Sequence, residues 1–430
     1  MKKKMEEINK TKPQIENEKF KTSDIKMEKS GINELEKGIE EENVCNLNDC
    51  FIILVNESKY FFIRNIKEKI RFKNKLIPLQ SLIGKKYGSI FELVAGELKL
   101  LDKKPCFDDL LNEKDFNEEG DVIGDNREIQ DGNDAQELSS DQIQQMKKNG
   151  ATGEQIIREV IKNSKSWKKK AIFSQQKYIK KKIEKHLIII NLIKSSPSNL
   201  INAFFSQSPH KVANLRNDSL AYLLTIANLK ANSKLLTIDE SNGVLLGSIL
   251  YRTNNCASIL NLHFDKFCPK YPAVNLFNVS FKTQISHQSL SSFEKNEEKY
   301  DALILVLNPS QNNFYPIDPF IQLYQKNLKE GRVFVAFCAF LEPMTLLLNY
   351  LQKNSINYNL VEFWTRPFQV LEGRTHPEMR MDGASGYILY ATKIQSQTQE
   401  KIVENSPQIQ QNIENLKKRK IDEEGKEEEN

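Results

Sequence analysis

Leu235–Leu250 reads LLTIDESNGVLLGSIL, an apolar strand, a polar turn and an apolar helix in sixteen residues. In nucleotide-binding sheets of the Rossmann type the first strand hands over to its helix through two or three glycines. Small residues there let the backbone approach a ligand that faces the helix N-terminus. Here the turn is Asp239-Glu240-Ser241-Asn242-Gly243, with one glycine. Side chains at Ser241 and Asn242 are expected to fill the ligand's space, so the stretch reads as an α/β fold whose cofactor loop has been disabled.

Outward from this unit the chain alternates in the βα manner. Leu220, Leu223, Leu224 and Ala227 recur at helical spacing and predict a helix over 218–229. Continuous apolar runs predict parallel strands, covered on both faces, at 258–262, 302–307 and 332–337. Glu342-Pro343 opens a helix expected over 342–352. Two last strands, about 358–364 and 387–392, resemble the C-terminal hairpin of class I methyltransferase sheets.

The N-terminal part has another rhythm. CFIILV, YFFIRNI, LIPLQSLIGKKYGSIFELV and GELKLL, between Cys50 and Leu101, predict short strands of a small barrel or sandwich. Gly84 and Gly88 read as a barrel turn, since no helix signature follows them to make a phosphate cradle. An acidic stretch over about 102–138 reads as an inserted loop. Beyond it, Ser139 or Ser140 is expected to cap a helix ending before Gly150, Thr152 and Gln155 make a capping box for 153–163, and Ser174 caps a third helix. The expected organisation is a tail over 1–43, a β-rich barrel-like domain over 44–138, a basic helical connector over 139–195, a degenerate Rossmann-like domain of class I methyltransferase type over 196–393, and a charged tail over 394–430.

Composition supports the division. Of 430 residues 39% are hydrophobic and 28% charged, and the dilution falls mainly in the two tails. No apolar run approaches a bilayer span and the Lys-rich N-terminus has no signal-like apolar stretch, so a soluble intracellular protein is expected. Cys45, Cys50, Cys106, Cys256, Cys268 and Cys338 form no C-x-x-C pair, so neither a metal site nor a disulfide framework is expected. The net charge of +5 matters less than its distribution. Lys165, Lys168, Lys169, Lys170, Lys177, Lys180, Lys181, Lys182 and Lys185 are interleaved with Trp167, Phe173 and Tyr178. Such a stretch is either a solvated helix face or a surface for nucleic-acid phosphates.

Four segments carry a resemblance: VEFWTRPFQVLEGRTHPEMRMDGASGYILYATK from Val361, FLEPMTLLL from Phe340, the stretch from Asn214 through Leu250, and LIGKKYGSIFEL with NGATGEQIIREVIKNSKSWKKKAIFSQQKYIKKK. In content and order they resemble the non-catalytic subunit of the eukaryotic tRNA (adenine-58) N1-methyltransferase. The resemblance implies a tRNA-binding chain that assembles into a heterotetramer with a paralogous catalytic subunit, the partner holding S-adenosylmethionine and this chain holding no cofactor. It turns the lysine stretch toward RNA contact. Arg366 and Arg374, with His376, lie between the last two strands, either as a partner-facing loop or as an RNA-binding edge. Arg64, Arg71, Lys85 and Lys86 are further candidates.

Where the catalytic paralogue has an aspartate before its Pro-Ser, this chain reads Leu305-Val306-Leu307-Asn308-Pro309-Ser310. No carboxylate stands there to serve as a base. Where an acid would hold the cofactor ribose, the chain offers Asn261, Leu262 and His263, with Asp265 out of register. Two other readings are a self-sufficient S-adenosylmethionine-dependent RNA methyltransferase, decided by the turn at 239–243, and a scaffold with no RNA contact. Lys417-Lys418-Arg419-Lys420 fits a nuclear import signal.

Overall fold

The computed structural model describes residues 43–67, 69–73, 75–104, 136–167, 172–278, 284–293, 296–309, 316–370, 373–379 and 383–394. Both tails, the Lys417–Lys420 run, most of the acidic stretch and Lys168, Lys169 and Lys170 lie outside the described residues.

The alternating runs near the N-terminus form β1 (Phe51–Val55), β2 (Lys59–Ile63), β3 (Ile70–Phe72), β4 (Lys75–Ile77), β5 (Ile90–Val94) and β6 (Glu97–Leu101). Their tight turns use left-handed backbone, Asn56 and Glu57 between β1 and β2, Ala95 and Gly96 between β5 and β6. Three helices follow, α1 (Ser140–Lys148), α2 (Gly153–Lys162) and α3 (Ile172–His186), and then β7 (Ile189–Lys194). The antiparallel sheet runs β2-β1-β7-β5-β6, with β3 and β4 in a separate hairpin. Two expectations need correction. β7, inside the stretch read as a helical connector, is the sheet's middle strand, paired with β1 and β5; its apolar run follows a helix with no turn signal to announce it. The expected barrel is not closed among the described residues, because β2 and β6 are both edges.

The Thr152–Gln155 capping box forms as the sequence predicts, and of the two serines offered as caps for the first helix Ser139 takes the place and makes a second box with Gln142. Ser139 Oγ accepts from Gln142 N at 3.2 Å while Gln142 Oε1 accepts from Ser139 N, and Thr152 and Gln155 repeat the exchange. α3 is described from Ile172, so Ser174 lies inside the helix and does not cap it. Buried Glu92 of β5 accepts the Gly153 amide at 2.6 Å, placing a carboxylate at the positive end of α2.

The two faces of this sheet have different neighbours. Phe51, Ile53, Phe91, Leu93, Ile190 and Leu192 pack on one side with Ile77, Leu79 and Leu82. On the other, Ile90 and Ile189 lie under α2 and α3 with Ile157, Ile161, Trp167 and Ile179. Ile52, Ile193, Tyr60 and Phe62, on the same side, pack against the C-terminal half.

That half contains α4 (Pro197–Gln207), α5 (Asn217–Ile226), β8 (Lys234–Asp239), α6 (Val244–Arg252), β9 (Ser258–His263), β10 (Ile285–Ser289), β11 (Tyr300–Leu307), β12 (Leu328–Cys338), α7 (Leu341–Asn354), β13 (Ser355–Trp364), β14 (Phe368–Gln369), β15 (His376–Pro377) and β16 (Ala384–Lys393). The seven-stranded sheet runs β10-β9-β8-β11-β12-β16-β13. Its first five strands are parallel, and β16 is antiparallel to both β12 and β13. This is the strand order of a class I methyltransferase, Rossmann-like, and apolar layers cover both faces. The ISHQS sequence of β10 has no apolar run, and for that reason this strand was not legible.

The halves meet through side chains. Phe62 and Phe204 stack with centroids 4.5 Å apart. Ser195 Oγ donates to the Leu276 carbonyl at 2.5 Å, Gln207 Nε2 to that of Tyr60 at 2.8 Å, and Asn278 pairs with the Cys50 amide and carbonyl. Gly247 of α6 is part of the junction, since a Cβ there would lie 2.2 Å from the Phe277 ring. Gly247→Ala should push Phe277 off its packed position and cost about 1–3 kcal/mol. A calorimetric scan with an unchanged unfolding temperature would show that the ring yields freely.

Candidate functional site

The strand order reverses about β8, where open α/β sheets bind ligands beyond the carboxyl ends of their strands. A crevice of about 630 Å³ lies there, lined by Asp239, Glu240 and Asn242 of the turn, His263 and Asp265 after β9, Tyr271, Asn308 after β11, and Lys211 and Lys270. It shares Lys211, Asn242 and Pro272 with a neighbouring groove of about 470 Å³ that reaches Phe62 and Arg64 of the N-terminal half.

The floor of the crevice is held by its own residues. Asp239, 3% exposed, accepts from Ser241 N at 2.7 Å, Ser241 Oγ at 2.6 Å and Leu246 N at 3.2 Å. Ser241 Oγ in turn accepts from Leu245 N at 3.0 Å. Burial pushes the Asp239 carboxyl up, opposed by the Ser241 hydroxyl and by the amides of Ser241, Leu246 and Gly243. The α6 amides that would face an anionic or polar ligand are thus used internally. Ser241 is fully buried and turned into this network, so it does not fill the crevice as the sequence reading expected; its hydroxyl instead withdraws donors. Asn242 does line the crevice, in left-handed backbone at φ 62°. Gly243 takes φ 92°, and a Cβ there would meet Val274 and Tyr271 within 3 Å.

The other positions are committed as well. Asn261 is fully buried; its Oδ1 accepts from Thr237 Oγ1 at 2.9 Å and its Nδ2 donates to Tyr271 Oη at 2.8 Å. The Tyr271 ring stacks on His287 at 4.9 Å. Leu262 is core, and His263 Nδ1 is 2.9 Å from the Asp265 carbonyl. Asp265 stands exposed two residues beyond β9. Asn308 N donates to Glu240 Oε2 at 2.6 Å and its side-chain amide to the His210 carbonyl at 3.1 Å, tying the ends of β8 and β11 together. These residues fit S-adenosylmethionine poorly at the loop, where the α6 amides are taken, and at Asn261, which is bonded within the sheet; the Asp265 carboxylate stays exposed at the crevice, and position 308 offers an amide. Among the described residues no cluster of His, Cys, Asp and Glu is placed to hold a metal, and no helix is long and apolar enough to cross a membrane.

The basic candidates lie on several elements. Lys177, Lys180 and Lys181 are exposed along one face of α3, opposite buried Gln175 and Ile179. Lys182 is half-buried with its ammonium 4.8 Å from the Tyr178 ring, and Lys165 is exposed near Glu137. Arg64 lines the groove between the halves. Arg366 lies 5.9 Å from the Phe368 ring, and Arg374 is at the turn of the β14–β15 hairpin, its carbonyl bonded by Gln369. The structure therefore groups the α3 lysines, sets Arg64 beside the crevice, and keeps the two arginines on a separate hairpin.

Residues 46–314 match the Gcd10p family. The chain belongs to that family. Relatives include a Dictyostelium discoideum protein named "tRNA (adenine(58)-N(1))-methyltransferase non-catalytic subunit trm6", 29% identical over 82% of this chain and 80% of its own. A Mus musculus protein of the same description is 26% identical over 79% and 86%. Among solved structures, "tRNA (m1A58) methyltransferase TrmI from Aquifex aeolicus" aligns with TM-score 0.45 and 13% identity, covering 82% of this chain and all of that one.

In this Gcd10p-family chain the sequence reading missed Lys73, Lys75, Lys147 and His186, because they gather from distant segments. His186 is buried and its Nδ1 has no hydrogen-bond partner. Burial, and then Lys147, Lys182, Lys185 and Lys73, push its pKa down to about 4. The fold keeps it neutral, whereas the unfolded chain takes up a proton near about 6.5, so stability is full above that pH and falls as the pH drops toward the folded value. The loss should reach about 3 kcal/mol by pH 4. Denaturant melts between pH 7 and 4 measure it, and His186→Gln should flatten this share of the slope.

Proposed function

We propose that this chain is the non-catalytic, RNA-binding subunit of a tRNA (adenine-58) N1-methyltransferase, working with a catalytic subunit that holds the methyl donor. The observation that carries the proposal is the committed floor of the crevice: Asp239 and Ser241 take the α6 amides, and Asn308 stands where a base would need a carboxylate. The relatives' description agrees with it. In this reading Lys165, Lys168, Lys169, Lys170, Lys177, Lys180, Lys181 and Lys182, with Arg64, Arg366 and Arg374, position the RNA through its phosphates, and base choice rests with other contacts.

The partner surface we assign is the edge of the seven-stranded sheet. β13 is an edge strand, and it and the following hairpin expose Trp364, Phe368, Val370 and Met379 at 58%, 51%, 75% and 94%. An unpaired edge with apolar side chains invites pairing with another chain. A catalytic paralogue carrying the same kind of sheet would offer a matching edge, and two such pairs would make the heterotetramer. Nuclear residence rests on the run at 417–420. The rival reading, a self-sufficient methyltransferase, draws on the crevice itself, since 630 Å³ is room for a nucleoside-sized ligand.

Methyl transfer to an unmodified tRNA transcript should occur only with the co-expressed pair, and the chain alone should show no saturable donor binding by calorimetry. Donor binding with one-to-one stoichiometry would sink the non-catalytic reading. Trp364→Asp with Val370→Asp should abolish co-purification of the catalytic subunit while leaving the thermal transition in place; an intact complex would move the interface elsewhere.

A further inference from the structure

A second face of α3 presents Tyr178, Lys182 and Lys185 at helical spacing. Two other elements bring lysines to the same end of that helix: Lys147 from the last turn of α1, and Lys73 and Lys75 from the β3–β4 hairpin. The hairpin is fastened there, since Lys73 Nζ donates to the Glu184 carbonyl at 2.5 Å. Asn56 Nδ2 fastens the β1–β2 turn to the Glu184 and Leu187 carbonyls, at 3.3 and 3.0 Å. His186 lies at the base of the group, 8% exposed, its Nδ1 without a partner.

The end of a helix attracts cations, and Lys73 is used in that way. It does not account for five ammonium groups from three elements. None of the five takes part in an ion pair among the described residues. Burial and then Lys75, Lys185 and Lys73 hold the Lys147 ammonium below its ordinary pKa, the mark of cations crowding one another with no acid between them. Such crowding is relieved by a compact anion with several acceptor oxygens. Ammonium groups arriving from different directions suit a tetrahedral phosphate better than a planar carboxylate, which favours the arginine fork.

We propose that Lys73, Lys75, Lys147, Lys182 and Lys185, with His186 at their base, form a seat for a phosphate group, and that the phosphate it takes is a phosphodiester of the RNA. The assignment to RNA rests on the reading given above that this chain binds tRNA. It is favoured by the exposed Lys177, Lys180 and Lys181 on the same helix, which offer further phosphate partners beside the seat. A phosphate against His186 also favours its protonated form, which raises the pH at which the ring takes up a proton.

The test uses the full chain with ¹³C-labelled histidine, the His186 signal being assigned with His186→Gln. Its titration is followed in phosphate-free buffer, with inorganic phosphate, and with an unmodified tRNA transcript. In parallel, tRNA affinity is measured over a range of KCl for the native chain and for the triple variant Lys73→Ala, Lys147→Ala, Lys185→Ala. With tRNA bound, the His186 midpoint should rise by a unit or more. The triple variant should lower the log–log salt slope by about 1, the share of one phosphate, and abolish that rise, its other histidine signals staying in place. Binding of tRNA with an unchanged slope and an unmoved His186 overturns the seat and leaves the RNA-binding reading standing. A response to inorganic phosphate without one to bound tRNA overturns the assignment to RNA. Absence of tRNA binding by the native chain, alone and with its catalytic partner, overturns the reading on which the assignment rests.

Discussion

The buried carboxylate of Asp239 organises the centre of the C-terminal half. It ends β8, bonds the Ser241 amide and hydroxyl, and reaches the Leu246 amide one turn into α6. An ionisable group so fully withdrawn from water is tolerable only with its acceptor sites filled, and here the protein fills them from its own turn. A ligand would have to compete with this carboxylate for the same amides. At this turn the hydrogen-bonding capacity of the strand end and helix start is spent on the fold itself.

The same conversion extends along the sheet. Thr237, Asn261 and His287 stand in register across β8, β9 and β10, and Tyr271 bonds Asn261 and stacks on His287. Thr237 and Asn261 are fully buried, and each finds its partner within the row. Glu240 and Asn308 close the remaining gap between β8 and β11. What an enzyme would direct at a substrate is here directed at neighbouring strands.

Sequence patterning disclosed this half well because its signals are local. Parallel strands such as Leu303–Leu307 are uniformly apolar, and outside this half the Thr152–Gln155 capping box identifies α2 to within a residue or so. β10 stayed hidden because an edge strand is free to be polar, and β7 because a strand that pairs with partners over a hundred residues away shows no sign of it in its own letters. The turn with its single glycine was legible in the sequence, though the role of Ser241 was not: a serine facing inward and one facing a ligand are written alike. The lysines of α3 were visible as a run, whereas Lys73, Lys75 and Lys147 become their neighbours only through the packing of the β3–β4 hairpin and α1.

One consequence follows from α2, α3 and the seven-stranded half sharing one face of the N-terminal sheet. Strands in a sheet are spaced by about 4.8 Å, and their hydrogen bonds do not stretch. β7 carries Ile189 under α2 and α3 and Ile193 against the seven-stranded half, so the rise along this strand, about 3.3 Å per residue, fixes how far apart the two packings stand. The sheet acts as a ruler: a polyanion that bridged both would have to match that fixed distance in its length and curvature.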